Sequence, residues 1–309
     1  MLIYWLQEMG VTGKQHRKYT MTIYYHLSNS LPHDRLEMLY SFKRIAEEQG
    51  VQFLLVGATV RQLILTGYYK IEERQKTHDL DFGVMLSDWE SFERLALALQ
   101  ASGEFRRDEK NRPHEFRYGK HNWIDLIPFG SVAQNNSIAW PPERASIMNV
   151  IGYDEVFEAA VEIDFGDGIS IKSASLPGYV LLKLFAWNDR PAERTKDLKD
   201  IWIMLENYFL AGEVQERLHT EHPDLLALPA EKFQELAGAR ILGRDLSRLC
   251  RLSTYKALKE LLERESKLEQ SKILVVFEKE ADSLGISEPY EHVNACWQEF
   301  VKGCLEPAP

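Results

Sequence analysis

The sequence predicts an α+β fold: a mixed sheet flanked by helices, followed by an all-helical C-terminal module. Three observations predict it. Short apolar or alternating runs bounded by turn residues recur between residues 51 and 171, with helical periodicity between several of them. From Ser175 almost to the end the pattern is helical throughout. The 309 residues suit about two domains, and no internal repeat or low-complexity segment breaks them up. The expected division is an N-terminal extension at 1–33, a sheet domain at 34–174 and a helical domain at 175–309.

Residues 1–32 carry weak periodicity and a small basic cluster, Lys14, His16, Arg17 and Lys18, and Met21 is an alternative start. From Asp34, Leu36, Leu39, Tyr40 and Ile45 share one helical face, and Gly50 ends that helix. VQFLLVG (51–57) reads as a buried strand, and Ala58 to Leu65 as a short helix entered straight from the glycine. HDLDFGVML (78–86) is a second strand. Ser87 and Glu90 form a capping box for a helix that runs to about Gln100 and closes at Gly103. HEFRYG alternates like a strand and pairs with NWIDLIPFG (122–130) across a turn at Gly119-Lys120. Val161, Ile163 and Phe165 alternate into the turn Gly166-Asp167-Gly168 and on to Ile169 and Ile171, a hairpin signal. Ser175 caps the next helix, with Pro177 in its first turn.

Composition narrows the function. Hydrophobic residues make up 45% and charged residues 27%, ordinary for a globular protein. Lys and Arg number 37 against 47 Asp and Glu, for a net charge of -10. That excludes a binder of nucleic acid over its whole surface, because such binding rests on counterion release by a basic face. A local basic groove stays open. No apolar run approaches the ~20 residues of a membrane span, and MLIYWLQEMG lacks the basic start of a secretory signal. Three cysteines, none in CxxC spacing, predict a reducing, cytoplasmic setting without a zinc site.

The informative residues are Asp79, Asp81 and Asp125. Side chains at i and i+2 of a strand share a face, about 6.6 Å apart. Asp79 and Asp81 therefore project together while Leu80 and Phe82 face the core. Asp125 sits between Ile124 and Leu126 in another strand, equally out of place for a charge. Three converging carboxylates repel, and a hard divalent cation is the usual remedy. Oxygen ligands favour Mg2+ or Mn2+. Two such ions would hold a triphosphate and activate an attacking hydroxyl. Upstream, Gly57 follows a buried strand and opens a helix, which lets a phosphate approach the backbone and free N–H groups.

Strand–Gly–short helix, Asp-x-Asp on a strand and a third Asp on a later strand resemble the polymerase β-type nucleotidyltransferase superfamily. The likeness is closest to bacterial nucleotidyltransferases near the abortive-infection AbiE-type toxins. LPGYVLLKLFAWNDRPAERTKDLKDIWIML (176–205) is similar to that group's Lys…Arg…Lys-Asp…Asp block. The resemblance spans roughly residues 50–208 and implies a nucleotidyltransferase-type sheet and transfer of NMP from an NTP to a hydroxyl. It implies Asp79, Asp81 and Asp125 as metal ligands, with Asp125 also near the acceptor hydroxyl it deprotonates. It further implies Lys183 at the triphosphate, with Gly57, Ala58, Thr59, Lys76, Thr77 and Asp197 as nucleotide-site positions and Asp197 orienting Lys183. The implied partners are an NTP, a tRNA 3′ end or protein side chain as acceptor, and a cognate antitoxin. Two departures stand out. Gly57-Ala58 replaces the usual Gly-Ser or Gly-Gly, which leaves Thr59 to supply a hydroxyl. Gln75 stands where the toxins place Arg before the Lys76-Thr77 that leads into Asp79. These departures motivate an alternative, a weak or inactive binding or antitoxin module. A third option is a small-molecule, aminoglycoside-like nucleotidyltransferase with a deep acceptor pocket.

Other features have structural readings. Arg190, Arg194, Lys196, Asp197 and Asp200 suit a salt-bridge lattice between two helices. Trp187 suits the core, and His78 reads as structural. Arg240, Arg244, Arg248 and Arg251 recur at helical spacing as a basic stripe: a solvated face, or a contact for RNA phosphates. The basic segment 106–120 has the same two readings. The cysteines read as buried hydrophobes or tail residues.

Overall fold

Eight strands join in one mixed sheet whose middle carries the acidic residues. The computed structural model describes residues 23–28, 30–72, 79–108, 112–141, 146–267 and 271–306. In chain order, β1 (Tyr24–His26) precedes α1 (His33–Glu48), β2 (Gln52–Val56) and α2 (Ala58–Arg61), which continues as π-helical turns over Gln62–Tyr68. Next come β3 (Asp79–Met85), α3 (Trp89–Ala101), β4 (Phe105–Asp108), β5 (Arg112–Tyr118) and β6 (Asn122–Phe129). A small pair, β7 (Ser137–Ala139) and β8 (Ile147–Asn149), leads to α4 (Tyr153–Glu158), β9 (Val161–Asp164) and β10 (Ser170–Ser173). The helices after these are α5 (Leu176–Asp189), α6 (Thr195–Ala211), α7 (Val214–Leu218) and α8 (Phe233–Leu249). The chain closes with α9 (Leu252–Ser266), α10 (Lys272–Ser283) and α11 (Pro289–Leu305).

The sheet order is β1-β9-β10-β2-β3-β6-β5-β4. β3 is antiparallel to β2 and parallel to β6, so the three site-bearing strands lie side by side. Alternation along β3 sends Leu80, Phe82 and Val84 to one face, all fully buried. There Phe82 stacks on Phe42 of α1, with ring centroids 4.3 Å apart. The other face carries Asp79, Asp81 and Gly83. Tyr153 lies over Gly83, where an added Cβ would come 3.2 Å from its ring. The helical part packs round Trp202, Phe277, Trp297 and Phe300. α8 and α11 cross so closely that a Cβ at Gly303 would fall 2.1 Å from the Arg240 carbonyl.

Two details correct the sequence reading. Residues 24–26, placed in the extension, form the edge strand β1, parallel to β9. Three residues are too few to show a period, and their partner lies far along the chain. The cap of α3 is Asp88, not Ser87: its carboxylate accepts from the Ser91 N–H at 2.7 Å, and the Ser87 hydroxyl donates to that carboxylate. Ser175 does cap α5, accepting from the Gly178 N–H.

Candidate active site

Parallel pairing sets Asp81 directly beside Asp125 across β3 and β6. Asp79 follows on the same face of β3, and each of the three offers an oxygen within 4.8 Å of the others. All three are half-buried. Burial and the charge of Asp79 push the Asp81 carboxyl up to about 6. Burial, then Asp81, Asp79 and Glu115, push Asp125 up to about 7. Like charges this close cannot all ionise comfortably without a cation. Asp125 Oδ1 is buried with no hydrogen-bond partner among the described residues. A buried lone-pair donor with nothing to bind, in an oxygen-only cluster, fits a hard divalent ion such as Mg2+ or Mn2+.

Gly57 shapes the other wall. It sits at φ 74°, ψ -170°, between β2 and α2. An added Cβ would lie 1.8 Å from Asp81 Oδ2, so only glycine lets the strand end and the carboxylate meet. Ala58 starts α2 and also lines the cleft. Thr59 corrects the expectation of a phosphate-contacting hydroxyl. It is 1% exposed and donates to the Asp79 carbonyl at 2.8 Å. Arg35 of α1, itself buried, donates to both Thr59 Oγ1 (3.0 Å) and that carbonyl (3.1 Å). This knot ties α1, α2 and the start of β3 together, and so fixes Asp79. Lys76 and Thr77 lie outside the described residues, as do Gln75 and His78.

Opposite the carboxylates stands a buried ion lattice. Lys183 Nζ of α5 lies 2.8 Å from Asp197 Oδ1 and 2.7 Å from Asp200 Oδ2, both on α6. Asp197 also accepts from Arg194 at 2.5 Å, and Asp200 faces Arg61 of α2 at 3.4 Å. Burial alone would depress the Lys183 ammonium; Tyr179, Asp200 and Asp197 outweigh it and hold the group above the usual lysine range. The lattice therefore orients Lys183 through Asp197, and equally through Asp200. Trp187 is core, as its helical setting predicts.

These walls enclose a cleft of about 1020 Å³, lined by Gly57, Asp79, Asp81, Asp125, Lys183, Arg194 and Lys196 among others. The lining also includes His114 and Trp140, whose rings lie 5.6 Å apart. Sequence reasoning missed Arg35, Arg61 and Tyr153, which carry no local motif. It also passed over Glu115, which lies opposite Asp125 on β5 and is buried under Arg112 (2.6 Å) and Arg117 (3.0 Å).

The arginine stripe is spent in ion pairs, as are Arg107, Arg112 and Arg117 of the earlier basic segment. Arg240 meets Glu299 and Glu306, and Arg244 meets Asp224 and Glu306. Arg248 meets Asp245 and Arg251 meets Glu158. Earlier in the chain Arg107 is held by Glu93. The stripe thus cross-links helices, and its guanidinium charges already have carboxylate partners. Cys296 and Cys304 are buried, and burial raises all three thiols. No helix among the described residues is long and apolar enough to cross a membrane.

Three solved structures are similar to this chain. The antibiotic-resistance factor ANT(2'')-Ia, solved in solution, is 12% identical, covering 76% of this chain and 97% of its own, with a TM-score of 0.37. A crystal structure of ANT(2")-Ia with adenylyl-2"-tobramycin is 16% identical, covering 68% and 98%, with a TM-score of 0.34. A CCA-adding enzyme in complex with ATP is 17% identical, covering 81% and 63%, with a TM-score of 0.31. The comparison with curated proteins gives no match. The family described as "Nucleotidyl transferase AbiEii toxin, Type IV TA system" matches residues 42–307, from α1 through β2, β3 and β6 to the last helix. The chain belongs to the AbiEii nucleotidyl transferase toxin family.

Proposed function

We propose that the chain moves NMP from an NTP to an acceptor hydroxyl at the Asp79–Asp81–Asp125 site, with Mg2+ or Mn2+, and releases pyrophosphate. The observation that carries this reading is the meeting of three carboxylates beside Gly57, with the buried Asp125 Oδ1 unsatisfied. A divalent ion held by the three carboxylates supplies charge neutralisation on the triphosphate and activation of the hydroxyl. Asp125 takes the acceptor proton as the new oxygen–phosphorus bond forms. The bond to the bridging oxygen breaks, and its electron pair leaves with pyrophosphate. Gly57 leaves the space in which the Asp81 carboxylate meets the end of β2, and so sets that ligand in place.

Family membership supports a toxin with a cognate antitoxin. For the acceptor, the ion-paired arginines favour a slender end entering the cleft over a long nucleic-acid contact. A tRNA 3′ end or a protein side chain meets that description. A second reading, a small-molecule hydroxyl, is favoured by the cleft volume of about 1020 Å³, at the upper limit for one small ligand and so wide enough for two.

The test is incubation of purified protein with each labelled NTP, Mg2+ and either total tRNA or cell lysate. Label should stay with one class of acceptor and disappear with Asp81→Ala. Unchanged labelling by that variant removes the proposal.

A further inference from the structure

Resting on the reading above, we infer that Lys196, rather than Lys183, grips the outer phosphates of the NTP, and that Lys183 is a positioning residue. Lys183 is the deeper of the two, but its ammonium is held at 2.7 and 2.8 Å by two carboxylates. A cation so neutralised has little charge left for a triphosphate. Arg61 and Arg194 are engaged by the same two acids. Among the described residues the ion pairs of Arg190 are long, 3.8 Å to Asp189 and 3.7 Å to Glu193. Among the described residues Lys196 makes no direct ion pair, yet it lines the cleft with Asp79, Asp81 and Asp125 and acts on Asp81 through space.

The position of Lys196 is informative in itself. It occupies the first turn of α6, after an N-cap, Arg194, that makes no side-chain cap. A helix N-terminus carries partial positive charge, so a lysine there is the wrong sign for stability. Among the described residues the charge of Lys196 is compensated only through space, by Asp81 across the cleft, so its ammonium stays open to a ligand's phosphates. An exposed ammonium on a flexible stem at the cleft lip suits the terminal phosphates, which carry most of the charge and depart as pyrophosphate.

The experiment is calorimetric titration of wild type, Lys196→Ala and Lys196→Arg with each of the four NTPs and the matching NMPs in Mg2+. Melting curves without nucleotide accompany it. Lys196→Ala should weaken the best-bound NTP by about ten- to a hundredfold. It should leave the NMP within about twofold and leave Tm equal or slightly raised. Lys196→Arg should retain most of the NTP affinity. A wild-type ratio of NTP to NMP affinity in Lys196→Ala overturns the inference, as does a lowered Tm, the mark of a structural lysine. Wild-type protein that binds no NTP overturns the functional reading as well. Intact NTP binding and labelling by Lys196→Ala overturns the inference alone.

Discussion

Asp81→Asn should make the metal-free protein more stable and the metal-loaded protein less so. Burial and the charge of Asp79 raise the Asp81 carboxyl from about 4 to about 6. Between those values the folded chain holds a proton that the unfolded chain has released, so stability falls as pH rises through the window. Two pH units at 1.36 kcal/mol each set a ceiling of about 3 kcal/mol. Screening at a half-exposed group leaves roughly 1–2 kcal/mol. In a chain of this size that is a Tm gain of about 2–6 °C at pH 8 in chelator, fading as the pH falls toward 4. Saturation with Mn2+ at a hundred times its Kd should stabilise wild type by about 2.7 kcal/mol. Asp81→Asn should gain almost nothing, so the order of the two proteins reverses. The assay is thermal melting of both proteins at pH 8 and pH 5, in chelator and in Mn2+. Equal melting of the two in chelator at pH 8, or an equal Mn2+ shift, would refute the claim that these carboxylates repel one another and share a cation.

Gly57→Ala should cost about 2–4 kcal/mol, because the added methyl meets Asp81 at a backbone conformation alanine resists; chemical denaturation measures it, and a loss below 1 kcal/mol contradicts the geometry. Lys183→Met should cost about 2–3 kcal/mol by removing the cation that Asp197 and Asp200 share and leaving them only Arg194 and Arg61, and a wild-type Tm would show the lattice to be energetically idle. Burial, Glu235 and Glu280 push the half-buried Glu206 up to about 7. Its folded-state pKa exceeds the unfolded one, so stability drops as pH rises toward 7, and Glu206→Gln should raise Tm by about 2–4 °C at pH 8 with the gain shrinking by pH 5. A pH-independent change would assign the effect to packing instead. Arg248→Ala should leave NTP labelling of the acceptor intact and cost under 1 kcal/mol, since its Asp245 contact is a part-exposed pair; loss of labelling at wild-type stability would restore the RNA-contact reading of the stripe.

The sequence by itself determined the order of β2, α2, β3, α3, β5 and β6, because those elements announce themselves through local alternation and turn chemistry, as the three residues of β1 do not. It also determined that Asp79 and Asp81 share a face, a property of any strand, and that Gly57 bends the chain before a helix. It did not determine what those residues meet. The register that brings Asp125 beside Asp81 belongs to a parallel pairing between strands about forty residues apart, and no local period encodes it. The partners of Lys183 come from the next helix, those of the arginine stripe from four different segments, and the Thr59 hydroxyl turns to a backbone carbonyl under Arg35. Side-chain charge is written in the chain, but whether it is free or already neutralised depends on contacts that only packing creates. Tertiary structure therefore decided which acids are short of a cation and which bases are already spent.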